Sequence, residues 1–113
     1  IFLMPSRYEP CGIGQLIAMR YGTIPVARRT GGLADTVLDH RPLEGEGTGF
    51  LFSDYTADAL QGCLKRALCV YVNEARWKKL MHSAMKMNFS WPDSAKKYIE
   101  LYDKVSRMKM KRE

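Results

Sequence analysis

The sequence predicts an α/β fold: the C-terminal half of a Rossmann-like domain with a parallel sheet, ending in three helices. Three short apolar runs, residues 1–4, 24–27 and 49–52, have the length and composition of strands buried on both faces. Helical periodicity lies between the first two runs, and it fills the chain after residue 56. Strands that alternate with helices form parallel, doubly wound sheets. Because three strands are too few for a complete sheet of this kind, we expect half of such a domain.

The first half of the chain supplies the strands and two short helical segments. A helix is predicted over residues 14–21, with Leu16, Met19 and Tyr21 directed inward and Gly22 as its stop. A helical turn is predicted over residues 33–37, and the Pro- and Gly-containing residues 39–48 predict a surface loop before the third strand.

The second half supplies three helices. Thr56 is the predicted N-cap of the first, and Asn73 separates it from the second. Ser90 and Asp93 form an S-x-x-D pattern that predicts a capping box for the third. The apolar positions expected to form the inner faces are Leu60, Leu64, Leu68 and Tyr71; then Trp77, Leu80, Met81, Ala84 and Met85; then Ala95, Ile99, Tyr102 and Val105.

Composition excludes several classes of protein. The chain has 113 residues, of which 46% are apolar and 27% charged, as in ordinary globular proteins, and no apolar run is long enough for a membrane helix. The net charge of +6 is concentrated in residues 104–113, where a solvated helix end explains it better than nucleic-acid binding. Three cysteines without a CxxC pair predict neither a disulfide framework nor a metal site. Because the chain opens with Ile1 inside an apolar run and shows no targeting segment, we expect a piece of a longer protein.

Two glycine-containing loops follow the first two strands, and parallel sheets bind ligands at that edge. In "SRYEPCGIG", Gly12 and Gly14 allow close approach of the backbone, and N–H groups at a helix start suit a phosphate. Glu9 would point at the same cleft, where a carboxylate accepts hydrogen bonds from sugar hydroxyls. The pattern indicates a phosphate-bearing sugar donor. Two structural alternatives remain: Glu9 as a helix cap and "TGG" as a plain turn.

The stretch "PSRYEPCGIGQLIAMRYGTIPVARRTGGLADTV" carries a family resemblance. It is similar to the signature of bacterial glycogen synthases and plant starch synthases, and the similarity continues through "GTGFLF" and "FSW" over nearly the whole chain. The resemblance implies a retaining glycosyltransferase with the two-domain GT-B fold, which extends α-1,4-glucans from ADP-glucose and needs no cofactor or metal. Its partners would be the ADP-glucose donor and the glucan acceptor, with neither nucleic acid nor membrane.

The resemblance also implies residue roles. Glu9 matches the active-site glutamate beside the donor glucose, and the backbone of Cys11 and Gly12 would face the sugar. Ile13 and Gly14 match the helix start that receives the distal phosphate. The residues of a second loop facing the same cleft are Thr30, Gly31 and Gly32.

The chain departs from the family at two positions. Ile17 stands where many members have Tyr, and where related transferases with an E-x7-E motif have the second Glu, which holds the ribose. Gly14 stands where many members have Thr or Asn. Both departures remove a side-chain contact with the nucleotide.

Parts of the family's active site lie outside this sequence. Residues 1–113 match part of the C-terminal domain, and the N-terminal domain with its Lys-Gly-Gly loop is absent, as is the Arg and Lys pair that neutralises the diphosphate. We therefore expect the chain alone to be inactive. Arg28 and Arg29 are not expected to replace that pair. In the family, the end of the chain crosses back to the N-terminal domain.

Two other functions stay open: another GT-B nucleotide-sugar transferase, and a non-catalytic sugar-nucleotide-binding module. Ile17 and the Pro-Cys after Glu9 argue against an E-x7-E enzyme. The expected location is a plastid for a plant or algal protein and the cytoplasm for a bacterial one.

Overall fold

The computed structural model describes residues 1–41 and 47–110 and contains a three-stranded parallel sheet. Strands β1 (Phe2–Met4), β2 (Pro25–Arg28) and β3 (Phe50–Phe52) lie side by side in that order. Leu3 is opposite Val26, and Ala27 is opposite Leu51. Strands β2 and β3 are buried except at Arg28, as their apolar runs predict. The prediction of burial on both faces was wrong for β1, where Phe2 and Leu3 are exposed in this chain because, among the described elements, only β2 and α1 pack against this edge strand. The predicted α/β class with a parallel sheet is confirmed.

Five helices accompany the sheet, in the predicted order: α1 (Gly14–Arg20), α2 (Gly31–Thr36), α3 (Ala57–Tyr71), α4 (Glu74–Met85) and α5 (Trp91–Met110). Helix α1 packs against β1 and β2, α3 packs against β2 and β3, and α4 contacts both α1 and α3. Their shared core is built around Met19, Ile24, Leu33 and Phe50. Over the described ranges, none of the helices has the length and apolar character needed to cross a membrane.

Helix ends follow the local sequence signals in most places. The hydroxyl of Thr56 accepts a hydrogen bond from the N–H of Ala59 at 3.2 Å, and the carboxamide oxygen of Asn73 accepts one from Arg76 at 3.0 Å. The predicted cap at Thr56 is therefore formed, and Asn73, predicted only to separate the two helices, caps α4. Gly22 ends α1 with a φ of +75°, a conformation that favours glycine.

The predicted capping box at the start of α5 is not formed as drawn from the sequence. Asn88 donates to the carboxylate of Asp93 at 2.6 Å and accepts from the N–H of Ser90 at 3.0 Å. In a capping box the Asp93 carboxylate would accept from the Ser90 N–H; here the carboxamide oxygen of Asn88 accepts that N–H instead. An S-x-x-D pattern identifies the helix start correctly without identifying its hydrogen bonds.

The inner face of α3 was predicted wrongly. Its fully buried residues are Cys63, Ala67 and Val70, whereas Leu68 and Tyr71 are half exposed. Helix α3 packs on β3, which carries bulky Phe and Leu residues, so small side chains on the helix allow the closest approach. The longer Leu60 and Leu64 flank that contact and are only partly buried.

One further position differs from the prediction. Tyr21 is 80% exposed, because it lies after the last residue of α1, outside the helical face that packs on the core. The predicted loop over residues 39–48 falls partly on residues 42–46, outside the described residues. Asp39 and Gly49 at its ends form a parallel bridge.

A partly exposed polar cluster connects Asp39 to α3. Asp39 accepts hydrogen bonds from the N–H of Leu51 at 2.7 Å and from Arg66 at 2.9 Å. The hydrogen bond to Asp39 raises the pKa of the Arg66 guanidinium, so this cation is retained at all physiological pH. Burial raises the pKa of the adjacent Cys63 thiol, which therefore stays protonated. Among the described residues, Cys11, Cys63 and Cys69 are all free thiols.

Between Tyr98 and Met108, the large apolar side chains of helix α5 are exposed. The predicted inner residues Ile99, Tyr102 and Val105 are each more than half exposed, as are Tyr98 and Met108. The prediction of an inner face was therefore wrong for the chain by itself. Large apolar side chains in a row on an exposed helix define an association surface.

We expect the purified 113-residue chain to self-associate through α5, because burying this apolar surface removes it from water. Sedimentation velocity over a range of concentrations measures the association. The double substitution Ile99→Lys and Tyr102→Lys should shift the chain towards monomer, whereas the exposed polar change Lys96→Gln should not. A wild-type chain that stays monomeric and melts cooperatively at high temperature would contradict the prediction.

Candidate functional site

The two predicted loops meet at the carboxyl edge of the sheet. We call residues 5–13, which connect β1 to α1, the first loop. The N–H of Gly32, in the first turn of α2, points at this loop and lies 3.1 Å from the carbonyl oxygen of Glu9 and 3.2 Å from that of Pro10. The backbone of α2 therefore packs directly against the backbone of the first loop.

Glycine is required at this contact for reasons of space. A Cβ atom on Gly32 would overlap the carbonyl oxygen of Cys11 and lie 2.5 Å from its Cα. A Cβ on Gly31 would overlap the carbonyl oxygen of Glu9, and Gly31 also has a φ of +43°. Because they lack side chains, the two glycines thus allow the first loop to pack against α2.

Thr30 is the residue that precedes these glycines. It is half buried and caps α2 through its backbone carbonyl, with no hydrogen bond from its side chain to the helix. Its hydroxyl therefore remains available at the sheet edge.

A buried glutamine links the two loops, and the sequence analysis did not single it out. Gln15, in α1, is fully buried, and its Nε2 lies 3.1 Å from each of three acceptors. Two of them are the carbonyl oxygens of Cys11 and Gly12, and the third is the Thr36 hydroxyl. Thr36 in turn donates to the carbonyl of Gly32 at 2.6 Å. The sequence signal for this role was weak: Gln15 is a polar residue directly after Gly14, followed by the apolar Leu16 and Ile17.

Glu9 lies half buried in the first loop beside Gly12. Within residues 1–41 and 47–110, its carboxylate has no hydrogen-bond or ion-pair partner. Helix α1 begins after Ile13 without a side-chain cap, so the alternative of Glu9 as a helix cap has no hydrogen bond to support it. A carboxylate without a hydrogen bond or ion pair to the described part of its chain is free to contact a ligand.

Backbone donors lie next to this carboxylate. In the part of the chain that the structure describes, the N–H groups of Cys11, Gly12 and Ile13 have no acceptor. The side chains of Cys11 and Ile13 are exposed, and Gly12 has a φ of +73°. Gly14 opens α1 directly after them. The first loop therefore offers several unpaired peptide donors beside one unpaired carboxylate.

Arg28, the last residue of β2, makes its hydrogen bonds within the chain. Arg28 donates to the carbonyl of Arg7 at 2.5 Å and to that of Ser53 at 3.1 Å, and it lies over the ring of Tyr55. It thereby ties together the segments that follow all three strands. Arg29 is exposed. No cluster of metal-ligating side chains occurs within the described ranges.

These features define a class of protein: an α/β domain with a loop of unpaired peptide donors at the carboxyl edge of its parallel sheet. The family model "Glycosyl transferases group 1" matches residues 1–82, which is most of the chain. The chain belongs to this glycosyltransferase family.

The relatives narrow the comparison. The chain is 58% identical over 102 residues to glycogen synthase from Geotalea daltonii. The aligned region covers 90% of this chain and 21% of that protein. Among solved structures, the catalytic domain of starch synthase IV from Arabidopsis thaliana, bound to ADP and acarbose, matches 92% of the chain and 22% of that domain, with a TM-score of 0.80 and 42% identity. Sucrose-phosphate synthase from Thermosynechococcus elongatus matches 94% of the chain and 25% of that protein, with a TM-score of 0.62 and 29% identity.

The resemblance to glycogen and starch synthases is confirmed, as is the GT-B fold class. The chain spans about a fifth of the length of the curated relatives it matches.

Proposed function

We propose that the chain is the donor-side segment of a glucan synthase. The whole protein would transfer glucose from ADP-glucose to the non-reducing end of an α-1,4-glucan with retention. The observation that carries the proposal is the first loop, where unpaired peptide N–H groups adjoin the unpaired carboxylate of Glu9. The 58% identity to a glycogen synthase and the likeness to an ADP-bound starch synthase support this choice of substrate class.

In this proposal each group of the first loop has a separate task. Glu9 accepts hydrogen bonds from the donor glucose and favours positive charge on its ring. Cys11 and Gly12 face the sugar with their backbone, and the segment from Ile13 to Gly14 receives the distal phosphate. Retaining transfer passes through an oxocarbenium-like state, in which the bond between the sugar and the leaving diphosphate is largely broken. Preorganised N–H donors stabilise the charge that develops on the diphosphate at that point.

Thr30, Gly31 and Gly32 belong to the proposed site in a different way. The two glycines hold the first loop against α2, so that its donors and carboxylate keep a fixed geometry. The hydroxyl of Thr30 is the one group of this second loop that we propose to face the donor.

The rest of the active site would come from outside this sequence. We propose that residues 1–113 are part of a C-terminal glycosyltransferase domain, completed by an N-terminal domain with a Lys-Gly-Gly loop and by an Arg and Lys pair for the diphosphate. An E-x7-E transferase fits less well, because Ile17 cannot accept a hydrogen bond from a ribose. Sucrose-phosphate synthase is also the more distant structural match.

We expect the complete protein to incorporate labelled glucose from ADP-glucose into a maltodextrin primer, and the 113-residue chain alone to incorporate none above background. The reason is that the proposed diphosphate cations and opposing domain lie outside the chain. Recovery of the complete reading frame and assay of both proteins test this. Glucose transfer by the chain alone would contradict the divided site. A complete, folded protein that binds ADP-glucose without transferring glucose would instead identify a non-catalytic binding module.

A further inference from the structure

The carboxamide of Gln15 controls the direction of two peptide groups in the first loop. Its Nε2 donates to two successive carbonyls, those of Cys11 and Gly12. The bond to Thr36 places the same nitrogen on the α2 side of the loop. These three acceptors decide which end of the Gln15 carboxamide is the nitrogen. If the carboxamide were rotated by 180°, its oxygen would face the two carbonyl oxygens, and no proton would lie between them.

The peptide bonds of the described chain are all trans, so each N–H points opposite to the C=O of the same peptide group. With the carbonyls of Cys11 and Gly12 held towards α2, the N–H groups of Gly12 and Ile13 are turned away from it. The bond from Gly32 to the carbonyl of Pro10 has the same effect on the N–H of Cys11. A run of N–H groups on one side of a loop forms an anion-binding concavity.

Stability alone does not account for a glutamine at this position. Its Oε1 is buried and has no hydrogen-bond partner among the described residues. It lies against Gly12, where a Cβ atom would approach it to 2.7 Å. A buried acceptor without a donor is destabilising, so the hydrogen bonds of Nε2 are partly offset by a cost that an apolar side chain of similar shape would not carry.

We propose that Gln15 is a positioning residue for the donor. By holding two carbonyls of the first loop towards α2, it presents the N–H groups of Gly12 and Ile13 to the diphosphate of a nucleotide sugar. The inference rests on the proposed function for the identity of the ligand, and on the hydrogen bonds of Gln15 for the mechanism.

The test compares two substitutions that break different bonds of the same network. Gln15→Met keeps the volume and removes all three hydrogen bonds. Thr36→Val, the matched control, removes the hydroxyl and leaves the two bonds from Gln15 to the loop.

In the complete protein we expect Gln15→Met to raise the Kd for ADP and the KM for ADP-glucose about tenfold or more, the effect of misaligning one charge-assisted hydrogen bond. The KM for the glucan should stay within about twofold of the wild-type value, because the change affects only the donor side. Thr36→Val should lower the melting temperature about as much as Gln15→Met does, since each variant loses buried hydrogen bonds. It should change the Kd for ADP less than about twofold, because the two bonds from Gln15 to the loop remain.

Calorimetric titration with ADP separates this inference from the proposed function. A wild-type protein that binds ADP without transferring glucose would contradict the function and leave the role of Gln15 to be decided by the variants. Equal affinities for ADP in wild type and Gln15→Met, or equal losses in Gln15→Met and Thr36→Val, would overturn the positioning role. Failure of the wild type to bind ADP would overturn both. Should Gln15→Met fail to fold, Gln15→Asn keeps the amide but is one methylene too short to reach both carbonyls, and the same outcomes apply.

Discussion

Glu9→Gln in the complete protein is expected to lower kcat by about 10²–10³ while leaving the melting temperature nearly unchanged. The amide has the same shape and still accepts a hydrogen bond, but it carries no charge to favour a cationic transition state. Folding should be unaffected, because the carboxylate has no partner within the described part of the chain. Steady-state kinetics with ADP-glucose and thermal melting of the same preparation measure the two effects.

The control for this prediction is Glu74→Gln. Glu74 lies in the first turn of α4 and pairs with Lys78 on the surface, at 2.6 Å, with its side chain 81% exposed. We expect its loss to leave kcat unchanged and to alter stability little, as for exposed ion pairs generally. A fall in kcat of less than about tenfold for Glu9→Gln, an order of magnitude below the expected range, together with a lowered melting temperature, would assign Glu9 to the fold and not to the reaction.

Gly32→Ala is expected to be the most damaging single-methyl change near the site. Its Cβ would overlap the backbone of Cys11, and neither backbone segment can move without displacing the first loop or α2. Overpacking of this kind costs about 1–3 kcal/mol of folding free energy. A shift of the first loop by about 1 Å is enough to lower activity by roughly 10² in the complete protein.

Gly62→Ala provides the opposite control. Gly62 is exposed in the interior of α3, and a Cβ there would meet nothing within 4 Å. The same methyl addition should therefore stabilise the chain by about 0.5–1 kcal/mol, through the higher helix propensity of alanine. Urea denaturation of both variants measures the free energies. Two glycine substitutions with equal and small effects would show that the close contact between Gly32 and Cys11 is not a constraint.

The order of elements was predictable because its signals are local. Apolar runs identified the strands, Gly22 ended α1, and the cap at Thr56 and the break at Asn73 needed only neighbouring residues. The inner face of α3 was not predictable, because leucine spacing reports that a face is apolar and not which residues touch β3. For α5, periodicity predicts an apolar face whether or not a partner is present, so it assigned Ile99, Tyr102 and Val105 to an inner face that is exposed here.

The candidate site was predictable to the level of its loops. Parallel strands end at one edge, so the residues after β1 and β2 had to lie near each other. What the sequence did not reveal is that Gly31 and Gly32 touch the first loop itself. Gln15 was overlooked because one polar residue in an amphipathic helix is usually exposed, and only the position of α2 makes it buried. Both features depend on distances between segments that are remote in sequence.

The hydrogen bonds that shape the first loop have a consequence for folding kinetics. Among the bonds from Gln15, the one to Thr36 has the largest sequence separation, 21 residues. The bond from Gly32 to Glu9 has a similar sequence separation. Closing loops of this size costs modest entropy, and contacts of low sequence separation form early in folding. The first loop, α1 and α2 can therefore assemble as the chain leaves the ribosome, before β3 and the helices after it have been synthesised.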